Sequence, residues 1–131
     1  MQTKYMAAIF AVLFTISNAV IAEECNSRWE NSGFIMDCLS ARYKAAEQEL
    51  NAVYDKAMQS LSSDGRLKLE AAQKAWLKYR DASLLFITEV NRNTGSTGNF
   101  IIEEYRVTLE KKRVAELKYV LSGPDAGPAE W

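Results

Sequence analysis

The chain has 131 residues, 25% of them charged, with 16 basic against 17 acidic side chains, a formal net charge of −1 and no histidine. No basic stripe dominates, so a nucleic-acid partner is excluded. Without His there is no Ser-His or Cys-His nucleophile pair.

Residues 1–22 read as a secretory signal rather than structure. One basic residue, Lys4, precedes the apolar run AAIFAVLFTISNAVIA, which closes on the small residues Val20 and Ala22, and cleavage is expected after Ala22. The run falls short of a spanning helix, so an uncleaved anchor is the weaker alternative. Glu23 and Glu24 argue against acylation of Cys25, because small or apolar residues are needed there. The mature chain is thus expected in the periplasm or outside the cell, off the membrane once the signal is removed.

Cys25 and Cys38 are the only cysteines. Two thiols in an oxidising compartment usually pair; two free thiols are the alternative. Closing so short a loop contributes about 3 kcal/mol in the chain-entropy model. Two Cys with no His do not complete a tetrahedral set, so neither a metal nor a cofactor is expected. The stretch Glu23–Gly33 is polar and irregular, and Trp29 within it reads as a hydrophobic plug rather than a ligand-stacking ring.

A first helix is predicted from Phe34 to Leu61. Leu39, Tyr43, Ala46, Leu50, Val53, Ala57 and Leu61 recur at gaps of three and four, one helix face. Ser32 suits its N-cap. A break inside it, giving four helices, is an open variant. SSDGR (62–66) interrupts the pattern, with Ser63 or Asp64 available to cap a second helix. That second helix, Asp64 to Arg92, carries Leu69, Ala72, Trp76, Tyr79, Ser83, Phe86 and Val90 at helical spacing, and these are expected to face inward. The next break contains Asn93, Thr94, Gly95, Ser96, Thr97, Gly98 and Asn99, polar apart from its two glycines, and is expected to be a tight exposed loop. It lacks the Lys-Ser/Thr ending and preceding strand of a phosphate loop. The third helix, Phe100 to Leu121, has a less regular apolar face: Ile102, Tyr105, Leu109, Val114 or Leu117, and Val120. Glu103, Glu104, Glu110, Lys111, Lys112 and Lys118 are expected in water. Gly123 and Pro124 stop it, and residues 122–131 read as a disordered tail. Short connections make neighbouring helices antiparallel. The expected architecture is all-α: an up-down-up three-helix bundle over residues 23–121 with a disulfide-strapped N-terminal segment.

Four polar residues stand out near the apolar stripes: Gln73, Arg80, Asp81 and Arg113. Structural ties between helices explain them best, with Arg113 reaching Asp81 or backbone carbonyls and Arg80 reaching an acid such as Asp55. The competing reading makes one arginine the anchor of a contact with a partner. Adjacent carboxylates such as Glu103 and Glu104 point to different sides of a helix. A bundle of this size offers little cleft, so no catalytic residue is assigned and no enzyme is expected.

The strings LNAVYDKAMQSL (50–61), LKLEAAQKAWLKYRDA (67–82), the Gly95-Ser96 loop and RVAEL (113–117) resemble the LprI-type lysozyme-inhibitor domain, a helical module of bacterial envelope proteins. The likeness covers nearly the whole mature chain. That family usually carries four cysteines. Cys25 and Cys38 match the first two, while the third and fourth fall at Leu84 and Tyr105. The resemblance therefore implies that a second bridge is replaced by apolar packing and that the remaining pair bond to each other. It also implies a protein partner, a lysozyme-type hydrolase, but maps no inhibitory residues. The small polar residues of Asn93–Asn99 and the mildly acidic net charge make steric blocking of the basic enzyme's sugar cleft by that loop the expected mode. An immunity protein against a wall-active toxin and a non-enzymatic envelope module, structural or chaperone-like, are the alternatives. A polar protruding loop favours the first two; exposed apolar area favours the third.

Overall fold

The computed structural model describes Cys25 and residues 31–123. The expected signal, Trp29 and the tail from Pro124 onward lie outside the described residues. Three helices account for almost everything described: α1 (Ser32–Ser60), α2 (Ser63–Val90) and α3 (Ser96–Ser122). No strand occurs among the described residues.

Each helix starts where a side chain or a glycine lets it. Asn31 caps α1, its side-chain oxygen accepting from the Phe34 amide at 2.9 Å, one position before the expected Ser32. Beyond Gly33, α1 holds neither Gly nor Pro, and it runs unbroken. Ser62 caps α2 by accepting from the Gly65 amide at 3.2 Å. Only Leu61 and Ser62 separate the first two helices, and Arg66 reaches back to donate to the Leu61 carbonyl at 2.9 Å. Gly95, with φ of +62°, turns the chain into α3, and Gly123, with φ of +77°, ends it.

Pairing distances along the chain fix the helix directions. Arg42–Glu104 and Glu49–Lys118 join α1 to α3 across 62 and 69 residues, a nearly constant offset, so α1 and α3 run parallel. Arg80–Glu110 and Gln73–Arg113 join α2 to α3 across 30 and 40 residues, an offset that grows towards the start of α2, so these two are antiparallel. The up-down-up order is as expected.

The core lies mainly between α1 and α3. Leu39, Ala46, Leu50 and Ala57 from α1 are buried, as are Val107, Leu109, Val114 and Leu117 from α3. Leu50, Val114 and Leu117 form its centre, with Val53, Leu69 and Trp76 packed around them. No residue of α2 is fully buried. Its partly buried line includes Leu69, Gln73, Trp76, Leu77, Arg80, Ser83, Leu84 and Ile87, so Leu69, Trp76 and Ser83 of the predicted stripe face inward while Ala72 joins the exposed residues. Trp76 faces the core, whereas Tyr79 is 58%, Phe86 68% and Val90 60% exposed. The cause is the pair of polar residues Gln73 and Arg80: each has its partner on α3, and satisfying them turns the tyrosine and phenylalanine outward. Two expectations for α3 are also corrected: Glu110 is 0% exposed instead of solvated, and Val120 lies on the surface.

The disulfide between Cys25 and Cys38 is present, with Cα atoms 5.7 Å apart. It straps residue 25 to the first turns of α1.

Candidate functional site

Two places hold the residues singled out from the sequence: a polar clasp between α2 and α3, and the turn joining them.

The clasp begins with Glu110. It lies on the same face of α3 as Val107, Val114 and Leu117, among the buried residues. Arg80 donates from Nη1 to its Oε1 at 3.1 Å. Its Oε2 is buried and has no hydrogen-bond partner among the described residues. Burial pushes the Glu110 carboxyl above the usual glutamate range, and the Arg80 guanidinium offsets this only in part. Arg80 also grips Asp81 Oδ1 through Nε and Nη2, at 3.0 and 2.9 Å, on the exposed side. Arg113 donates from Nε to Gln73 at 3.0 Å and from Nη1 to Glu116 at 2.8 Å. Both guanidinium groups stand over Trp76, 5.5 and 5.8 Å from its ring centroid. Arg80 and Arg113 thus share one tryptophan, with Asp81 bonded to the first and Gln73 to the second. Arg80 ties to Glu110 of α3 rather than to Asp55, and Arg113 ties to Gln73 and Glu116 rather than to Asp81.

Glu110 and Glu116 were missed as members of this group. The signal for Glu110 was present: Val107, Glu110, Val114 and Leu117 are spaced three, four and three apart, so one acid interrupts an apolar line. Glu116, a half-exposed acid three residues after Arg113, carries no such mark.

The segment expected to be one loop is divided. Asn91–Gly95 form the turn, and Ser96–Asn99 are already the first turn of α3. Thr94, in the turn, donates through Oγ1 to the Asn91 carbonyl at 2.8 Å. Gly98 is buried; a Cβ there would lie 2.7 Å from the Asn91 carbonyl oxygen. Asn93, Thr94, Gly95, Ser96, Thr97 and Asn99 remain exposed. A depression of about 400 Å³ opens beside them, lined by Asn91, Arg92, Gly95, Asn99 and Ile102 among others. Large apolar side chains flank this end of the hairpin: Leu85, Phe86 and Val90 late in α2, and Ile101 early in α3, are all exposed.

No group of three or more potential metal ligands exists among the described residues. No described helix is long and apolar enough to cross a membrane.

No curated protein and no solved structure matches the chain. A family model described as Lysozyme inhibitor LprI matches residues 22–117. That span contains α1, α2 and all but the last turn of α3, the clasp and the α2–α3 turn included. By a match over most of its length, the chain belongs to the lysozyme inhibitor LprI family.

Proposed function

We propose that this protein is an exported, non-catalytic inhibitor that binds lysozyme or a related cell-wall hydrolase. The observation that carries the reading is the family match across all three helices. The end of the molecule formed by the α2–α3 turn is the contact. Its exposed residues, Asn93 to Thr97 and Asn99, are small and polar enough to enter or cover a sugar cleft. Phe86, Val90 and Ile101 beside them supply the apolar area that gives a contact its energy. Inhibition is steric: the chain has no His, and both of its cysteines are bonded to each other.

Purified mature protein, titrated against lysozyme in a wall-lysis assay, tests this. Inhibition that weakens about tenfold in a Phe86→Ser, Val90→Ser variant of unchanged helicity supports it. Full lysozyme activity at high molar excess rejects it. Export is checked separately by fractionating cells and measuring the mature N-terminus, expected at Glu23.

One observation favours a second reading. The outward face of α2 exposes Tyr79, Leu85, Phe86 and Val90, more apolar surface than a solvated helix needs. An envelope module that holds another protein through this face would look the same. The two readings separate in a periplasmic pull-down with and without added lysozyme: an inhibitor exchanges its bound protein for lysozyme, and such a module does not.

A further inference from the structure

A cleft of about 310 Å³ separates α2 from α3, away from the turn. Its sides are aromatic, with Trp76 and Tyr79 from α2 and Tyr105 from α3. Lys112, Arg113 and Glu116 form its polar part. The volume lies at the bottom of the range for ligand pockets, enough for one substituted ring and too small for a chain of sugars.

Donors outnumber acceptors there. Arg113 is 6% exposed; Gln73 and Glu116 satisfy two of its nitrogens, and Nη2 is buried without a partner among the described residues. A buried donor left unfilled costs free energy that an incoming acceptor recovers. Beside it, Lys112 is exposed and forms no ion pair among the described residues. Glu116 already shows which chemical group suits this guanidinium, since its own half-exposed carboxylate sits 2.8 Å from Nη1.

We propose that this cleft binds a small carboxylate carried on a ring. The ring lies against Tyr79 and Tyr105, whose faces accept an aromatic ring or the apolar face of a sugar. Trp76 is not the platform, because Arg80 and Arg113 already stand over it. The carboxylate is taken by Lys112 and Arg113 through charge-assisted hydrogen bonds. Glu116 competes for the same guanidinium through Nη1, and its side chain turns towards solvent as the ligand carboxylate takes its place.

Two sources carry this chemistry: the muramic acid unit of cell-wall fragments and a free aromatic acid. Amide NMR shifts of the mature protein are followed with three probes: N-acetylmuramic acid, N-acetylglucosamine (a similar ring without the carboxylate) and phenylacetate. At least one of the two acids is expected to give saturable shifts at residues 112–116, and N-acetylglucosamine to bind at least about tenfold more weakly than that acid. Lys112→Ala and Tyr79→Ala replace exposed side chains, leave the fold intact by circular dichroism, and weaken the bound acid about tenfold. Glu116→Gln removes the internal competitor and tightens it severalfold. N-acetylmuramic acid binding alone assigns the site to wall fragments; phenylacetate alone assigns it to aromatic acids. The proposal is overturned if neither acid gives a saturable shift, if N-acetylglucosamine binds as well as the acids, or if Lys112→Ala and Glu116→Gln leave binding unchanged. Lysozyme takes no part in the measurement, so its outcome is independent of the inhibition reading.

Discussion

Among single residues, Glu110 has the largest consequences. It is a carboxyl with no exposure, one oxygen held by Arg80 and the other without a partner among the described residues. Removing one member of a buried pair leaves the other charge stranded, at a cost of about 3 kcal/mol or more. Arg80→Met should therefore destabilise the protein by about that much at neutral pH, measured by urea unfolding. The loss should shrink in acid, where Glu110 takes up a proton and needs no counter-ion. The sign of the wild-type pH dependence follows from the raised carboxyl. A folded-state value above the unfolded one means that the folded state holds the proton more tightly. Glu110's contribution is then fully present below the ordinary glutamate value and is lost as pH rises through the folded value. Wild type minus Glu110→Gln stability should accordingly fall as pH rises above the ordinary glutamate range; a flat difference would show that burial does not act on this group. Gly98 is a second residue-scale test. A Cβ at this position meets a backbone oxygen, which cannot swing away as a side chain can. Gly98→Ala should cost about 1–3 kcal/mol despite the better helix propensity of alanine.

At the scale of the element, α2 shows what periodicity can and cannot reveal. Its existence, length and direction follow from residue spacing, the SSDGR break before it and the glycines beyond its end, whereas its cap is Ser62 and not the expected Ser63 or Asp64. Its rotation did not. Two apolar lines compete on this helix, one through Tyr79, Phe86 and Val90 and another through Leu77, Leu84 and Ile87, and a count of apolar residues does not separate them. The decision is made by Gln73 and Arg80, whose partners are 40 and 30 residues away on α3. A pattern read within one helix holds no information about such pairs. For the same reason Gln73, Arg80, Asp81 and Arg113 stand out in the sequence while the partners it suggests, Asp55 for Arg80 and Asp81 for Arg113, are not the ones found. The turn was legible in position but overlong, because Ser96–Asn99 are polar residues that also serve as a first helical turn. The rotation has a measurable consequence. Trp76 packs on the Leu50–Val114–Leu117 cluster, and Trp76→Ala should cost about 3 kcal/mol. Tyr79→Ala, three residues on, should stay within about 0.5 kcal/mol. Similar losses at the two sites in thermal unfolding would mean that the tyrosine also faces the core.

For the whole molecule, the helices are unequal partners. α1 and α3 share most of the buried apolar side chains and are joined by the two-pronged Arg42–Glu104 pair, with Arg106 over the Tyr43 ring at 4.3 Å. α2 lies across them on Leu69, Trp76 and the polar clasp. Residues open to exchange according to how much apolar contact must be broken. Amide exchange should therefore release the middle of α2 before the middle of α1 or α3. The disulfide acts elsewhere. It closes a loop of sequence separation 13 at the start of α1, with Arg42 Nη1 donating to Cys25 Sγ at 3.9 Å. Its reduction should lower stability by about 3 kcal/mol, through the entropy of the unfolded chain. Because the bond restrains the unfolded state more than it shapes the folded one, reduced protein below its midpoint should keep the same helical signal and the same order of exchange. Early loss of α2 on reduction would instead mean that the strap supports the clasp, and that Cys25–Cys38 holds the three helices together as one unit.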